Sequence, residues 1–177
     1  MKNTLLIFLM LTLSTNVISG TESVYDFELR DIKGKTIKTQ SFKGSALLVV
    51  NIATRCGYTG QLDEIEKLYK KYKAKGLTVV GVPSNDFGGQ TPEDNKKIAD
   101  FCRLNYNVTF PLVSKTPVTG SKAHPFVKHL VTVSGGKEIG WNFEKFIISK
   151  DGKLLKRFGS SVKPLSDEVE TVIKEAL

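Results

Sequence analysis

The stretch Val49-Val50-Asn51-Ile52-Ala53-Thr54-Arg55-Cys56-Gly57-Tyr58-Thr59 decides how this chain is read. The apolar run that opens at Ala46 predicts a buried strand reaching Ala53. A short polar segment then presents a single cysteine, and a helical pattern begins at once. Gln61 to Lys73 predicts a helix with Leu62, Ile65, Leu68 and Tyr72 on one face. A cysteine at a strand-to-helix junction lies near unpaired N–H groups and the positive end of the helix dipole. Both favour the thiolate, the reactive form of the residue. A second reading stands beside it: a small buried residue packed under a loop, since cysteine is among the most buried residue types.

Working outward, Asp63, Glu64 and Glu66 fall early in the helix and lysines fall late, which complements the dipole, and Gly76 ends it. Leu77 to Val82 predicts a second buried strand. Thr91-Pro92-Glu93-Asp94 predicts a helix start, with Thr91 as N-cap and Pro92 at the first position, running to about Leu104. Toward the N-terminus, Phe27–Leu29 and Thr36–Ile37 flank a turn at Asp31–Lys35. Toward the C-terminus, Phe143–Ser149 and Leu154–Phe158 flank Asp151-Gly152 as a hairpin. Pro164 and Ser166 open a last helix with Val169, Val172, Ile173 and Leu177 inward. Two βα units, a hairpin and a helix predict one α/β domain with a central mixed sheet and helices on both faces. The cysteine then lies at the carboxyl end of a central strand, where such sheets place ligands.

The chain has 177 residues, 40% of them hydrophobic, enough for one sizeable core. Its net charge of +8 and isoelectric point near 9.4 are basic, but the lysines are scattered over helix faces. Without an arginine-rich run or an aromatic-interleaved basic stripe, this reads as a solvated surface and not a nucleic-acid site. Residues 1–20 read as a secretory signal peptide: Lys2, an apolar core from Leu5 to Leu13, and a small, polar stretch ending in cleavage after Ser19 or Gly20. That core is short for a bilayer span. The competing reading is an uncleaved N-terminal anchor. The expected mature domain, 21–177, carries +7 once Lys2 is gone. It is expected to be periplasmic or secreted.

Export implies an oxidising compartment. Cys56 and Cys102, the chain's two cysteines, stand 46 positions apart. Three readings are open: a structural disulfide, a core cysteine at Cys102 beside Ile98 and Phe101, or a disulfide formed transiently during turnover. His124 and His129 are too few for a metal site and suit packing or surface roles. Asn107-Val108-Thr109 is a glycosylation sequon, relevant only in a eukaryotic secretory host.

Five ordered blocks resemble the glutathione peroxidase family, from about Tyr25 to the C-terminus. They are Val49 to Tyr58; Pro83-Ser84-Asn85-Asp86-Phe87-Gly88-Gly89-Gln90; Phe101-Cys102 with Val108-Thr109-Phe110-Pro111; His124-Pro125; and Trp141-Asn142-Phe143-Glu144-Lys145-Phe146. The resemblance implies a thioredoxin-like fold and a thiol-based hydroperoxide reductase. It assigns Cys56 as the peroxide-attacking residue, where some members carry selenocysteine, and Gln90, Trp141 and Asn142 as its polar companions. The chemistry agrees: a thiolate attacks one peroxide oxygen, and the other leaves and must gain a proton or hydrogen bonds. The indole N–H and the two amides supply donors without adding charge. No metal or organic cofactor is required.

Members often carry another cysteine where this chain has Ser84, so no redox role passes to that position. Cys102 resembles the resolving cysteine of members that use thioredoxin, which implies a thioredoxin-like protein, or else glutathione, as reductant. A Cys56–Cys102 bridge requires the helix carrying Cys102 to loosen. A disulfide oxidoreductase of the same fold normally shows Cys-x-x-Cys, and here the second position is Thr59. A monomer or weak dimer is expected.

Overall fold

Seven consecutive buried residues, Ala46–Ile52, form a strand that must be covered on both faces and paired on both edges. The computed structural model describes residues 23–177; the expected leader, 1–20, lies outside the described residues. Along the chain run β1 (Glu28–Arg30), β2 (Thr36–Lys38), β3 (Ala46–Ile52), α1 (Gln61–Tyr72), β4 (Leu77–Pro83), α2 (Asn95–Tyr106), α3 (Pro125–Val133), β5 (Lys145–Ile148), β6 (Leu154–Phe158) and α4 (Asp167–Ala176). The main sheet has the order β4-β3-β5-β6. β4 runs parallel to β3, from Ala46 opposite Leu77 to Ile52 opposite Pro83. β5 runs antiparallel on the other edge of β3, from Leu47 opposite Ile148 to Val50 opposite Lys145. β1 and β2 form a separate hairpin.

Successive strand side chains point to opposite faces. Leu48, Val50 and Ile52 therefore pack with Leu62, Ile65 and Leu68 of α1, Ile98 and Cys102 of α2, and Val169 and Ile173 of α4. Leu47 and Val49 pack with Phe126, Val127 and Leu130 of α3 and with Leu29 of β1. This is the α/β architecture that the sequence predicts, a mixed sheet with helices on both faces.

Two details differ from the sequence expectation. α3 is absent from it, because Val127, Val131, Thr132 and Val133 are weak helix formers. Packing of Phe126, Val127 and Leu130 stabilises it instead. His124 caps it: Nδ1 accepts the Phe126 N–H at 3.2 Å, and burial holds the His124 pKa below its ordinary value, favouring the neutral ring that can accept. His129 lies against the Phe27 ring. The second difference is the start of α2. Asp94, not Thr91, is the N-cap, its carboxylate accepting the Lys97 N–H at 2.8 Å. The residues before it are held out of the helix. Asn85 Oδ1 takes the Thr91 N–H, and Lys115 Nζ donates to the carbonyls of Thr91, Pro92 and Glu93. At the other end α2 passes Leu104 and stops at Tyr106, with Asn107 in the left-handed region.

The segment after α2 docks on the outer edge of β4. Gly81 N–H donates to Pro111 O at 2.9 Å, and Val113 N–H donates to Gly81 O at 3.0 Å. A Cβ on Gly81 would lie 2.7 Å from Leu112 Cδ2 and 3.0 Å from the Phe110 ring. Gly81→Ala is expected to destabilise by about 1–3 kcal/mol through overpacking, read as a lower urea midpoint at unchanged slope. An unchanged midpoint would mean that Leu112 and Phe110 yield freely.

β5 opens on a fully buried lysine. Lys145 Nζ donates to Phe143 O at 2.8 Å, with Ser160 O at 3.4 Å and Gly159 O at 3.5 Å. Burial pushes its pKa down from 10.5 to about 8, opposed in part by Glu64 and Glu144. Below about pH 8 the folded and unfolded chains both hold this proton. Between about 8 and 10.5 only the unfolded chain does, so this group makes stability rise with pH in that window. Lys145→Met removes the contribution. The stability of wild type minus that of the variant is therefore expected to climb from pH 8 to 10 in urea titrations, and a flat difference would refute it.

Candidate active site

The parallel pairing of β3 with β4 brings their carboxyl ends to one edge of the sheet, where the antiparallel β5 begins. Three loops meet there: 53–60 with Cys56, 84–94 with Gln90, and 140–144 with Trp141 and Asn142.

Cys56 is 9% exposed, five positions ahead of α1. Tight turns link it to the helix: Thr59 N–H donates to Cys56 O, Gln61 N–H to Tyr58 O, and Leu62 N–H to Thr59 O, at 2.9–3.0 Å. The Cys56 sulfur accepts the Tyr58 N–H at 3.4 Å, and Thr59 Oγ1 accepts the Cys56 N–H at 2.9 Å. The two bonds pin the Cys56–Thr59 turn that precedes α1. Thr59 Oγ1 also donates to Ala53 O at 3.0 Å, closing the loop on itself.

Gln90 is tied to the cysteine loop through its backbone. Its carbonyl accepts the Arg55 N–H at 2.9 Å and the Thr54 hydroxyl at 3.2 Å. Glu93 braces the same two residues, accepting from Thr54 Oγ1 at 2.6 Å and Arg55 Nε at 2.8 Å. Burial raises the Glu93 pKa, but the Thr54 hydroxyl, the backbone and Arg55 outweigh it and hold the carboxyl below its usual value. The Gln90 side chain meets the third loop, where Asn142 Nδ2 donates to Gln90 Oε1 at 2.9 Å. With its oxygen taken, the two Nε2 N–H groups are the donors that the Gln90 side chain has left. Asn142 is fully buried and its own Oδ1 has no partner.

Trp141 is 39% exposed and leans on Phe87 of the Gln90 loop, with ring centroids 5.6 Å apart. Its carbonyl accepts Asn51 Nδ2 at 3.0 Å. The sequence reading missed Asn51, Lys145, Glu93 and Thr59 as parts of this site. A lone polar residue inside an apolar strand run, such as Asn51, was the available signal.

Ser84 is buried, and its hydroxyl accepts the Asp86 N–H, a turn-forming role. Cys102 lies on α2 in the core with no exposed surface, and burial pushes its thiol up to about 12. Both cysteines are free thiols. Among the described residues no group of three or more His, Cys, Asp or Glu is placed to hold a metal ion, and no helix is long and apolar enough to cross a membrane.

The profile of the glutathione peroxidase family matches residues 24–131. Glutathione peroxidase-like peroxiredoxin 2 of Saccharomyces cerevisiae is 43% identical over 161 residues, covering 88% of this chain and 99% of that protein. The crystal structure of Trgpx in apo form superposes with a TM-score of 0.71 at 33% identity, covering 88% and 95% of the two chains. A thioredoxin-family thiol:disulfide interchange protein from Chlorobium tepidum superposes with a TM-score of 0.63 at 20% identity, covering 87% and 94%, a likeness of fold alone. The profile over residues 24–131, and sequence and fold over 88% of the chain, agree: it is a thioredoxin-like domain that belongs to the glutathione peroxidase family.

Proposed function

We propose that Cys56 is the nucleophile of this thiol-dependent peroxidase and that Gln90, Trp141 and Asn142 are its hydrogen-bond donors. The chain is an oxidoreductase that takes a hydroperoxide as acceptor. In the first step the Cys56 thiolate attacks the terminal oxygen of ROOH and the O–O bond breaks. The other oxygen leaves as alkoxide and takes up a proton, giving the Cys56 sulfenic acid and ROH. The observation that carries this reading is the 2.9 Å bond from Asn142 to Gln90 Oε1. It occupies the Gln90 oxygen and leaves the Nε2 donors for a substrate, while the Gln90 carbonyl grips the residues before Cys56. Neutral donors fixed in this way stabilise a developing alkoxide without reorganising.

The second step joins Cys56–SOH to the Cys102 thiol, forming a disulfide and releasing water, and a thioredoxin-like dithiol or two glutathione thiols then reduce the bridge. A thiol titrating near 12 is ionised to roughly one part in 100,000 at pH 7. Cys102 therefore resolves the sulfenate only after α2 unwinds enough to wet it and bring it within bridging distance. The same burial favours a second reading, in which Cys102 is a core residue and an external thiol attacks Cys56–SOH directly. The pattern of residues 1–20 supports export with cleavage after Ser19 or Gly20, to act as a monomer or weak dimer. N-terminal sequencing of the mature protein tests the cleavage.

Purified 21–177 with glutathione and thioredoxin supplied separately is expected to consume peroxide, and Cys56→Ser to lose that activity while keeping its fold. Gln90→Ala, Trp141→Phe and Asn142→Ala are each expected to slow sulfenate formation roughly 100- to 1,000-fold. Parental stopped-flow rates in all three would remove them from the site.

Mass spectrometry after one equivalent of peroxide separates the two resolving schemes. Loss of two hydrogens with a Cys56–Cys102 cross-linked peptide supports the internal disulfide. A lasting Cys56 sulfenate with Cys102 still alkylatable establishes the one-cysteine scheme.

A further inference from the structure

Phe143 sits at φ +66, one of two non-glycine residues with positive φ among the described residues. That region crowds the Cβ of a bulky side chain, and such backbone persists only where its surroundings over-determine it. Here the surroundings are two side chains. The β3–β5 ladder ends at Val50 opposite Lys145, and the Asn51 carboxamide continues it as a peptide group would. Asn51 Nδ2 donates to Trp141 O at 3.0 Å, and Asn51 Oδ1 accepts the Glu144 N–H at 2.9 Å. The Asn51 backbone carbonyl accepts the Phe143 N–H at 2.7 Å. From the other side Lys145 Nζ grips Phe143 O at 2.8 Å. The two carbonyls flanking Asn142, those of Trp141 and Phe143, are thus each held by a buried side chain.

We propose that Asn51 and Lys145 are positioning residues for the peroxidase site: the Asn51 carboxamide and the buried Lys145 ammonium hold the Trp141–Phe143 turn, and so set where the Trp141 and Asn142 donors stand relative to the Cys56 loop. The proposal rests on the catalytic reading of Cys56, Trp141 and Asn142 given above. Lys145 makes no salt bridge within 4.0 Å among the described residues, and a buried ammonium without a carboxylate partner is costly. An apolar side chain of that length would fill the space more cheaply. A charge kept at a stability cost beside a strained turn marks a place where geometry outranks stability. Lys145 also donates toward Ser160 O, which accepts Gln61 Nε2 at 2.7 Å, so the clamp reaches the start of α1 behind Cys56.

The test uses Asn51→Asp, near-isosteric but without the Nδ2 donor, and Lys145→Met. Each is expected to lower the rate constant for Cys56 oxidation by hydrogen peroxide roughly 10- to 100-fold, the loss that follows a small misplacement of catalytic groups. Iodoacetamide alkylation of Cys56, which needs no donor on a leaving oxygen, should change less than about twofold. Trp141 is the chain's single tryptophan, so acrylamide quenching of its fluorescence should rise in both variants. In a Trp141→Phe, Asn142→Ala background, Asn51→Asp should add no further loss, because the donors it positions are gone. Should Lys145→Met fail to fold, Asn51→Asp and this cycle carry the test alone. Parental oxidation rates in the folded variants, or a loss that repeats in full in the donor-less background, overturns the proposal. Peroxide turnover surviving in Cys56→Ser brings down the catalytic reading instead, so the two failures are distinct.

Discussion

β3 is the constraint from which the rest follows. All seven of its residues are buried, so neither face nor edge of the strand reaches water. Backbone groups in that position must be paired within the protein. β4 takes one edge in parallel and β5 takes the other antiparallel, and at its carboxyl end β3 emerges into the loop that carries Cys56. The parallel partner needs a crossover, and α1 supplies it. That crossover puts a helix start immediately after β3, and with it the tight turns that carry Cys56. The two neighbouring loops arrive at the same edge because β4 ends there and β5 begins there. The site is a consequence of strand direction before it is a consequence of side-chain chemistry.

Within that edge, polar groups are spent on holding positions. Asn142 occupies the Gln90 oxygen, Asn51 and Lys145 occupy the carbonyls around Asn142, and Glu93 occupies the side chains before Cys56. In the proposed mechanism this division leaves neutral donors for the reaction. That division suits a transition state whose charge passes from sulfur to oxygen. A fixed cation nearby would stabilise the starting thiolate as well as the product alkoxide, whereas aimed dipoles discriminate by position. The two cysteines are separated by the same logic. Cys56 has sulfur within reach of a backbone N–H, while Cys102 has only apolar neighbours and a thiol held protonated. Any reaction of the Cys102 thiol requires α2 to loosen first, since the residue has no exposed surface.

The strands and most helices were legible because hydrophobic period is a local signal. Leu62, Ile65, Leu68 and Tyr72 recur at helical spacing and are all buried. α3 was not legible, because its β-branched residues favour no helix and only the tertiary contact of Phe126, Val127 and Leu130 makes one. The α2 start was misplaced by three residues. Thr91-Pro92 has the right local chemistry for a cap, but Lys115, distant in sequence, takes the carbonyls there. The four expected site residues come from motifs, and the structure joins the three loops that carry them by hydrogen bonds. Asn51 left one signal, a polar residue inside an apolar run, but Lys145 and Glu93 were not readable, since their work lies in long-range contacts to backbone carbonyls and to side chains of another loop. No periodicity reports such contacts.

Thr59 shows how one fold serves two thiol chemistries. Disulfide exchange through Cys-x-x-Cys places the second thiol one helical turn from the first, ready to expel a bound partner. Here that position holds a hydroxyl engaged at both ends, accepting from the Cys56 N–H and donating to Ala53 O. It contributes rigidity where the exchange enzymes contribute a second, attacking thiol. Rigidity is what a peroxidase needs, since an O–O bond must meet the sulfur and its donors in one arrangement. The second thiol, Cys102, is remote, on a different helix. In the proposed scheme a sulfenate formed at Cys56 would persist until α2 moves or an external thiol arrives, and the packing of Ile98 and Cys102 against the core would set its lifetime. In that scheme, loosening the packing would speed internal resolution and cost stability in the same stroke, so α2 would be where the proposed mechanism trades one against the other.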